Sequence, residues 1–217
     1  MRVRLSFEKP RGSGLCIMVD LLRASATITA ALDSFREVIP VGDVEDAMEY
    51  SRMGYVVAGE RGGETLPGFL ANSPLQVQEH SGDVLVLTTT NGTRILESVK
   101  SQALVGCLNN LEAVASAARK LSDEVEVVMA GVNGRFAIED FLCAGEIIRA
   151  IGGDFEEYAE ASVLAVQDRC MVDDAIRKSR SARRLKELGF AGDVEYCLRR
   201  NITGNVPVYL DGRISLI

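Results

Sequence analysis

The segment Thr88-Thr89-Thr90-Asn91-Gly92-Thr93-Arg94 places hydroxyls, a flexible bend and a guanidinium within a few positions. An apolar run at 84–87 stops at the threonines, Asn91 and Gly92 tolerate the positive φ of a tight bend, and apolar periodicity resumes at Ile95 and Leu96. A strand, a hydroxyl-rich turn and a helix N-terminus in that order direct N–H groups, hydroxyls and Arg94 at one point. Such a point suits an anion, most simply a phosphate. The same residue types also build an ordinary Thr-capped turn, so the segment needs company before it means a site.

Three further strand ends supply it. Asp20-Leu21-Leu22-Arg23 sets a carboxylate where an apolar run stops, with an arginine close behind. That aspartate could ligate Mg²⁺ or attack as a nucleophile, Arg23 could hold a phosphate oxygen, and the plain alternative is a cap or ion pair. Gly59-Glu60-Arg61-Gly62-Gly63, followed by Asn72-Ser73-Pro74, lets backbone approach a ligand closely beside two charges. Ala130-Gly131-Val132-Asn133-Gly134-Arg135 repeats the Asn-Gly-x-Arg theme and runs into Glu139-Asp140. Carboxylates in a first helical turn complement the helix dipole, yet beside arginine turns they are also hard oxygen ligands.

The elements that must position these clusters are legible as alternation. Residues 15–20, 36–41, 55–59, 83–89, 102–107 and 124–131 read as strands, and 24–34, 43–53, 91–99 and 109–121 as helices. This predicts an α/β fold, three-layer α/β/α with a mixed, largely parallel sheet, whose ligands gather beyond the carboxyl ends of the strands. Residues 1–7 alternate apolar and polar and read as a strand at an edge. After about residue 138 the pattern is mostly helical, closing with a short strand at 206–210 and a turn at Asp211-Gly212. With no linker or repeat in sight, residues 1–217 are expected to form a single domain.

Composition removes several classes. A net charge of −7 argues against general nucleic-acid binding, though a local arginine pocket is compatible with it. No run is long enough for a membrane span, and MRVRLSFEKP lacks the apolar stretch of a signal peptide. Five scattered cysteines without a C-x-x-C suggest reduced, cytoplasmic usage. There is no P-loop and no G-x-G-x-x-G after a strand. His80 would be needed for a Ser-His-Asp triad, and a surface helix end suits it better. Cys143 reads as a buried small thiol. The basic run at 177–186 lacks interleaved aromatics; it reads as a solvated helix face, with a flap over an anionic substrate as the alternative.

Taken in order, VDLLRASATI, GERGG, NSP, TTTNGTR and AGVNGRFAIEDFLCAG resemble the 2-phosphosulfolactate phosphatase family. The resemblance is strong over roughly residues 15–150, with LGFAGDVEYCLRRN and VPVYLDGRI similar to its closing segment. It implies an α/β/α fold and a Mg²⁺-dependent hydrolysis of 2-phospho-3-sulfolactate to 3-sulfolactate, on a route to coenzyme M. Residue by residue, it puts weight on Asp20, Arg23, Glu60, Arg61, Asn72, Thr90, Asn91, Gly92, Thr93, Arg94, Asn133, Gly134, Arg135, Glu139 and Asp140. Arg199-Arg200-Asn201 departs from the acidic residue that relatives tend to carry there.

Physical reasoning then assigns roles within that set. Asp20, Arg23 and Arg94 are the expected catalytic residues, and Asp20, Glu60, Glu139 and Asp140 the expected Mg²⁺ ligands. Arg61, Asn72, Thr90, Asn91, Gly92, Thr93, Asn133, Gly134 and Arg135 would bind the substrate, Arg61 being the spare charge for its sulfonate and carboxylate. The expected partner is a small anionic phosphorylated molecule. Two rivals are a non-catalytic binder of a phosphorylated metabolite and a homo-oligomer whose arginine turns make subunit contacts. A pure anion binder has no reason to bring the four carboxylates near its phosphate.

Overall fold

The computed structural model describes residues 1–12, 14–99 and 102–217. Its strands are β1 (Arg2–Phe7), β2 (Leu15–Val19), β3 (Phe35–Val41), β4 (Val56–Arg61), β5 (Glu64–Thr65), β6 (Gly82–Thr88), β7 (Ala103–Val105), β8 (Glu124–Met129), β9 (Asp154–Phe155), β10 (Pro207–Leu210) and β11 (Arg213–Leu216). The helices are α1 (Ala24–Ala31), α2 (Val44–Arg52), α3 (Pro74–Val77), α4 (Gly92–Ser98), α5 (Leu111–Leu121), α6 (Ile138–Ile151), α7 (Glu157–Ala165), α8 (Arg169–Arg177), α9 (Arg180–Glu187) and α10 (Ala191–Cys197). The predicted strands and helices up to residue 131 all form, with ends moved by a few residues.

Alternating Cβ directions split the core into two sides. Ile17, Val19, Val125 and Val127 pack with Val114 of α5 and Cys143, Ile147 and Ile148 of α6. Cys16, Met18 and Val128 pack on the other side with Ile28 of α1 and Ile95 and Leu96 of α4. Helices therefore cover both faces, which is why β2 is buried at every residue and reads as a continuous apolar run. The three-layer α/β/α expectation holds.

The sheet order is β5-β4-β6-β3-β11-β10-β7-β2-β8-β1-β9. It consists of two parallel blocks, β4-β6-β3 and β7-β2-β8-β1, stitched together by the C-terminal hairpin. The closing segment is thus central, and it contains a second strand, β11, that the sequence reading missed. Asp211 (φ 49°) and Gly212 (φ 81°) form its two-residue turn, the positive-φ pair that suits a tight hairpin. The strand at 1–7 is one position in from the edge, because the two-residue β9 pairs outside it.

The hairpin has a consequence for the site. β10 is antiparallel to β7, β11 to β10, and β3 to β11, so the two blocks run in opposite directions. A flat sheet would send the carboxyl ends of β2 and β6 to opposite edges. Twist of about 20–25° per step, accumulated over the five steps between them, turns one block by roughly 100–125° relative to the other. The ends are thereby turned back toward each other, and a site at the strand ends needs this coiling as well as parallel pairing. Among the described residues, no helix is long and apolar enough to cross a membrane.

Candidate active site

Asp20 sits at the end of β2, its backbone clamped by Ser25: the Asp20 N–H donates to Ser25 Oγ (2.9 Å) and the Ser25 N–H to the Asp20 carbonyl (2.9 Å). Its carboxyl faces the N–H groups of Ala24 and Gly92, which open α1 and α4. These donors pull its pKa down. Burial and the charges of Glu60 and Glu139 outweigh them, and the group is pushed up to about 7. Gly92 lets α4 approach closely: a Cβ there would stand 3.0 Å from Ala24 Cβ and 3.2 Å from Asp20 Oδ2, so these neighbours would have to give by a few tenths of an ångström.

Glu60, at the end of β4, is fixed on both oxygens. Oε1 accepts from the Thr90 N–H (2.9 Å) and hydroxyl (3.0 Å), and Oε2 from the Gly63 N–H (2.6 Å). The Thr90 turn is thus held to β4. Asn91 ties it to the next turn, its Oδ1 accepting from the Asn133 N–H (3.1 Å). Asp140 does comparable work below: it accepts from Leu21 N–H (2.8 Å) and Gly131 N–H (2.9 Å), locking the ends of β2 and β8 together. Burial and the charges of Asp20 and Glu139 hold Asp140 well above the usual carboxylate range. Gly131 (φ +63°) turns the chain where a Cβ would be 2.4 Å from Phe7 and 2.5 Å from the Arg135 carbonyl.

Arg23 is buried and held from three sides. Nη1 donates to Asp193 of α10 (2.5 Å), Nη2 reaches the Gly63 carbonyl (3.4 Å), and the guanidinium lies 4.3 Å from the centroid of the Phe190 ring. Asp193 accepts in turn from Ser73 Oγ (2.7 Å), the N-cap of α3. The neighbouring Asn72 is buried, yet its Oδ1 has no hydrogen-bond partner among the described residues. A buried amide left unpaired costs about 1–3 kcal/mol, so this atom is poised for something that the chain does not provide.

These residues open onto one cleft of about 610 Å³. Asp20, Glu60, Arg23, Asn72, Thr90, Asn91 and Asn133 line it, which joins all four strand-end clusters in one volume. Its size falls in the range of small-molecule sites. Of the four carboxylates expected to hold a metal, Asp20 and Glu60 face the cleft. Glu139 and Asp140 are buried beneath it, the former acting on Asp20 through its charge and the latter bound to backbone on both oxygens.

Several expected binders lie elsewhere. Arg94 is exposed and paired with Glu8 (2.9 Å), because Gly92, Thr93, Ile95 and Leu96 form the buried face of α4 and residue 94 turns outward. It is absent from the cleft lining, and Arg94→Lys is expected to leave kcat/KM within about twofold, since an exposed pair contributes only about 0–1 kcal/mol. Steady-state kinetics on that variant check this. Arg61 spends its guanidinium on the carbonyls of Glu60 (2.7 Å) and Gly42 (2.8 Å) and on Thr88 Oγ1 (3.0 Å), stapling strand ends together. Thr93 bonds back to the Thr89 carbonyl (3.0 Å). Arg135 is exposed beside Gly134, outside the cleft. Arg200 joins Glu146 (2.5 Å) and Asp173 in an ion cluster between α6 and α8, so that departure serves packing.

The basic run holds the main surprise. It divides into the end of α8 and α9, and Arg180, Arg183 and Arg184 line the cleft opposite the carboxylates. All three are exposed, as the solvated-face reading expects, and their place on the cleft wall accords with the alternative of a flap over an anionic substrate. The sequence reading also assigned nothing to Asp193, Phe190 and Ser73; an acid in the first turn of α10 and a Ser-Pro helix start were their only signals. Cys143 is a buried thiol as expected, and burial raises it well above its usual range; Cys16, Cys107 and Cys197 are buried too, and Cys170 is exposed.

The match to the family model described as 2-phosphosulpholactate phosphatase spans residues 3–212. A protein named 2-phosphosulfolactate phosphatase from Methanothermobacter thermautotrophicus is 82% identical over 217 residues, covering 100% of this chain and 96% of that protein. Proteins named probable 2-phosphosulfolactate phosphatase are similar at 35% identity in Clostridium beijerinckii, over 93% of this chain and 91% of the relative. In Thermotoga maritima the figures are 37%, 90% and 89%.

Proposed function

The chain belongs to the 2-phosphosulfolactate phosphatase family, and on that premise we propose that its cleft hydrolyses the phosphomonoester of 2-phospho-3-sulfolactate, releasing 3-sulfolactate and phosphate. It is a phosphoric monoester hydrolase. The observation that carries the site assignment is the meeting of Asp20 and Glu60 with Arg23 in one cleft. A protein that only bound an anion would gain nothing from two carboxylates at that place, since they repel a phosphate.

The donor set fits Mg²⁺. Carboxylate oxygens are its preferred ligands, it commonly takes one or two of them together with substrate phosphate and water, and the mutual repulsion of Asp20, Glu60 and Glu139 is what a cation relieves. Among the described residues no three acidic, histidine or cysteine side chains group as metal ligands, so the four expected carboxylates do not form one ligand set, and the fit rests on the two that face the cleft. Asp20 and Glu60 would hold the ion, which when bound supplies charge neutralisation at the phosphoryl oxygens.

The remaining work belongs to the chain. Hydrolysis forms a bond from water oxygen to phosphorus and breaks the ester P–O bond, with a proton leaving the water and one returning to the alkoxide. Without a cation the Asp20 carboxyl is pushed up to about 7 by burial and by the charges of Glu60 and Glu139, and a cation held there would favour its ionised form. Arg23 retains N–H donors beyond those used by Asp193 and Gly63, and its fixed plane suits two phosphoryl oxygens. Asn72 lines the same cleft beside the Ser73 that holds Asp193. Glu60, held by Thr90, keeps the floor rigid as charge shifts.

Phosphate release from 2-phospho-3-sulfolactate, followed with Mg²⁺ and again in excess chelator, tests the reading. Release is expected with the ion and loss with the chelator. No release with any divalent cation would sink the function, and full turnover in chelator would remove the metal.

A further inference from the structure

We propose that Arg180 and Arg183 of α9 recognise the anionic groups of the substrate other than its phosphate, selecting a phosphomonoester that also carries a carboxylate and a sulfonate. This rests on the phosphatase reading of the same cleft. The wall is built by helical spacing. Ala182 and Leu185 are buried and anchor α9, which leaves positions 180, 183 and 184 together on the cleft side. Ser179 caps the helix, its Oγ accepting from the Ala182 N–H (3.1 Å).

The three arginines are not equivalent. Arg184 is already matched by Glu64 of β5 and by Glu187 (3.7 Å), so it tethers α9 to the β4-β5 turn across the cleft mouth. Arg183 Nε donates to the Lys178 carbonyl (2.8 Å), which orients the side chain without neutralising it. Arg180 and Arg183 form no ion pair among the described residues, whereas Arg177 and Lys178 of the same run are paired with Glu195 and Asp174. Glu187 of the same helix also lines the cleft and is matched by Arg184 (3.7 Å), which leaves the two guanidinium groups of Arg180 and Arg183 as the unmatched charge on this wall, a local positive field in a chain of net charge −7. The carboxylate floor and Arg23 answer to the phosphate and its cation; the α9 wall is left for the substrate's other anions. Planar guanidinium forks match carboxylate and sulfonate oxygens in pairs.

The probes are 3-sulfolactate, which has both of these anions and no phosphate, and inorganic phosphate. Their binding would be measured by calorimetry on the wild type and on the double variant Arg180→Gln/Arg183→Gln. The double variant is expected to bind 3-sulfolactate roughly tenfold or more weakly and phosphate within about threefold, with KM for 2-phospho-3-sulfolactate raised and kcat largely kept. Lys178→Gln, outside the cleft, is the control and should change neither. Unaltered 3-sulfolactate affinity in the double variant overturns the proposal, as does an equal loss for phosphate or a wild type that does not bind 3-sulfolactate. A wild type that binds 3-sulfolactate through these arginines but releases no phosphate from the ester would uphold this recognition and overturn the hydrolytic reading. Both side chains are exposed, so thermal unfolding should show an intact fold.

Discussion

Asp20→Asn is expected to reduce phosphate release by about a thousandfold or more while making the metal-free protein more stable at pH 8. The two effects share one cause. The Asp20 carboxyl is raised to about 7 by burial and by Glu60 and Glu139, so the fold favours its protonated form. A group whose folded pKa is raised contributes stability at low pH that disappears as pH climbs through that value. Without cation, the wild-type Tm should therefore fall between about pH 4 and pH 7, and Mg²⁺, which favours the ionised carboxylate, should restore it at pH 8. Asparagine keeps the shape and removes the charge. Its Tm at pH 8 should exceed that of the wild type by about 3 °C or more and vary less with pH, Asp140 contributing the remaining dependence. Thermal unfolding across pH and a kcat measurement decide the point. An Asp20→Asn protein with near-normal turnover would make Asp20 a strand-end cap; one less stable than wild type at pH 8 would mean that the carboxylate repulsion is misjudged.

Much of this arrangement is visible in the sequence, because burial leaves a periodic trace. The β2 run reads as apolar since helices cover both faces, and Asp20 is conspicuous because it ends that run. Glu60, Asn72 and the Thr90 turn are legible for the same reason. Arginines obey a different logic. A long side chain at a turn can point either way, and only its neighbours decide which. For Arg94 the deciding pattern was present, since Ile95 and Leu96 claim the inner face of α4. For Arg61 it was absent: its partners are carbonyls at positions 42 and 60 and a hydroxyl at 88, brought together by strand pairing. The α9 wall is still further from legible. It shares a cleft with Asp20 and Glu60 across more than a hundred residues of sequence, and that depends on a sheet coiled around a hairpin made by the last residues of the chain.

The second large effect concerns Arg23, where stability and catalysis can be separated. Its guanidinium and the Asp193 carboxylate are both almost wholly buried, at 1% and 3% side-chain exposure, so neither charge has water to fall back on. Arg23→Gln removes the charge opposite Asp193, leaving Ser73 Oγ as its one side-chain hydrogen-bond donor among the described residues, and should cost about 3–5 kcal/mol of stability. Turnover should fall by about a hundredfold or more, because a positioned cation facing the phosphoryl oxygens is lost. Adding Asp193→Asn removes the stranded charge. The double variant should recover most of the lost stability in denaturant unfolding, since two neutral amides can share the site that the ion pair held. It should not recover kcat, because the cation is still missing from the cleft. A double variant that regained both would make Arg23 a partner for Asp193 alone. Recovery of stability without activity gives the guanidinium a role in turnover beyond its pairing with Asp193, with Asp193, Ser73 and Phe190 as the residues that hold it in place.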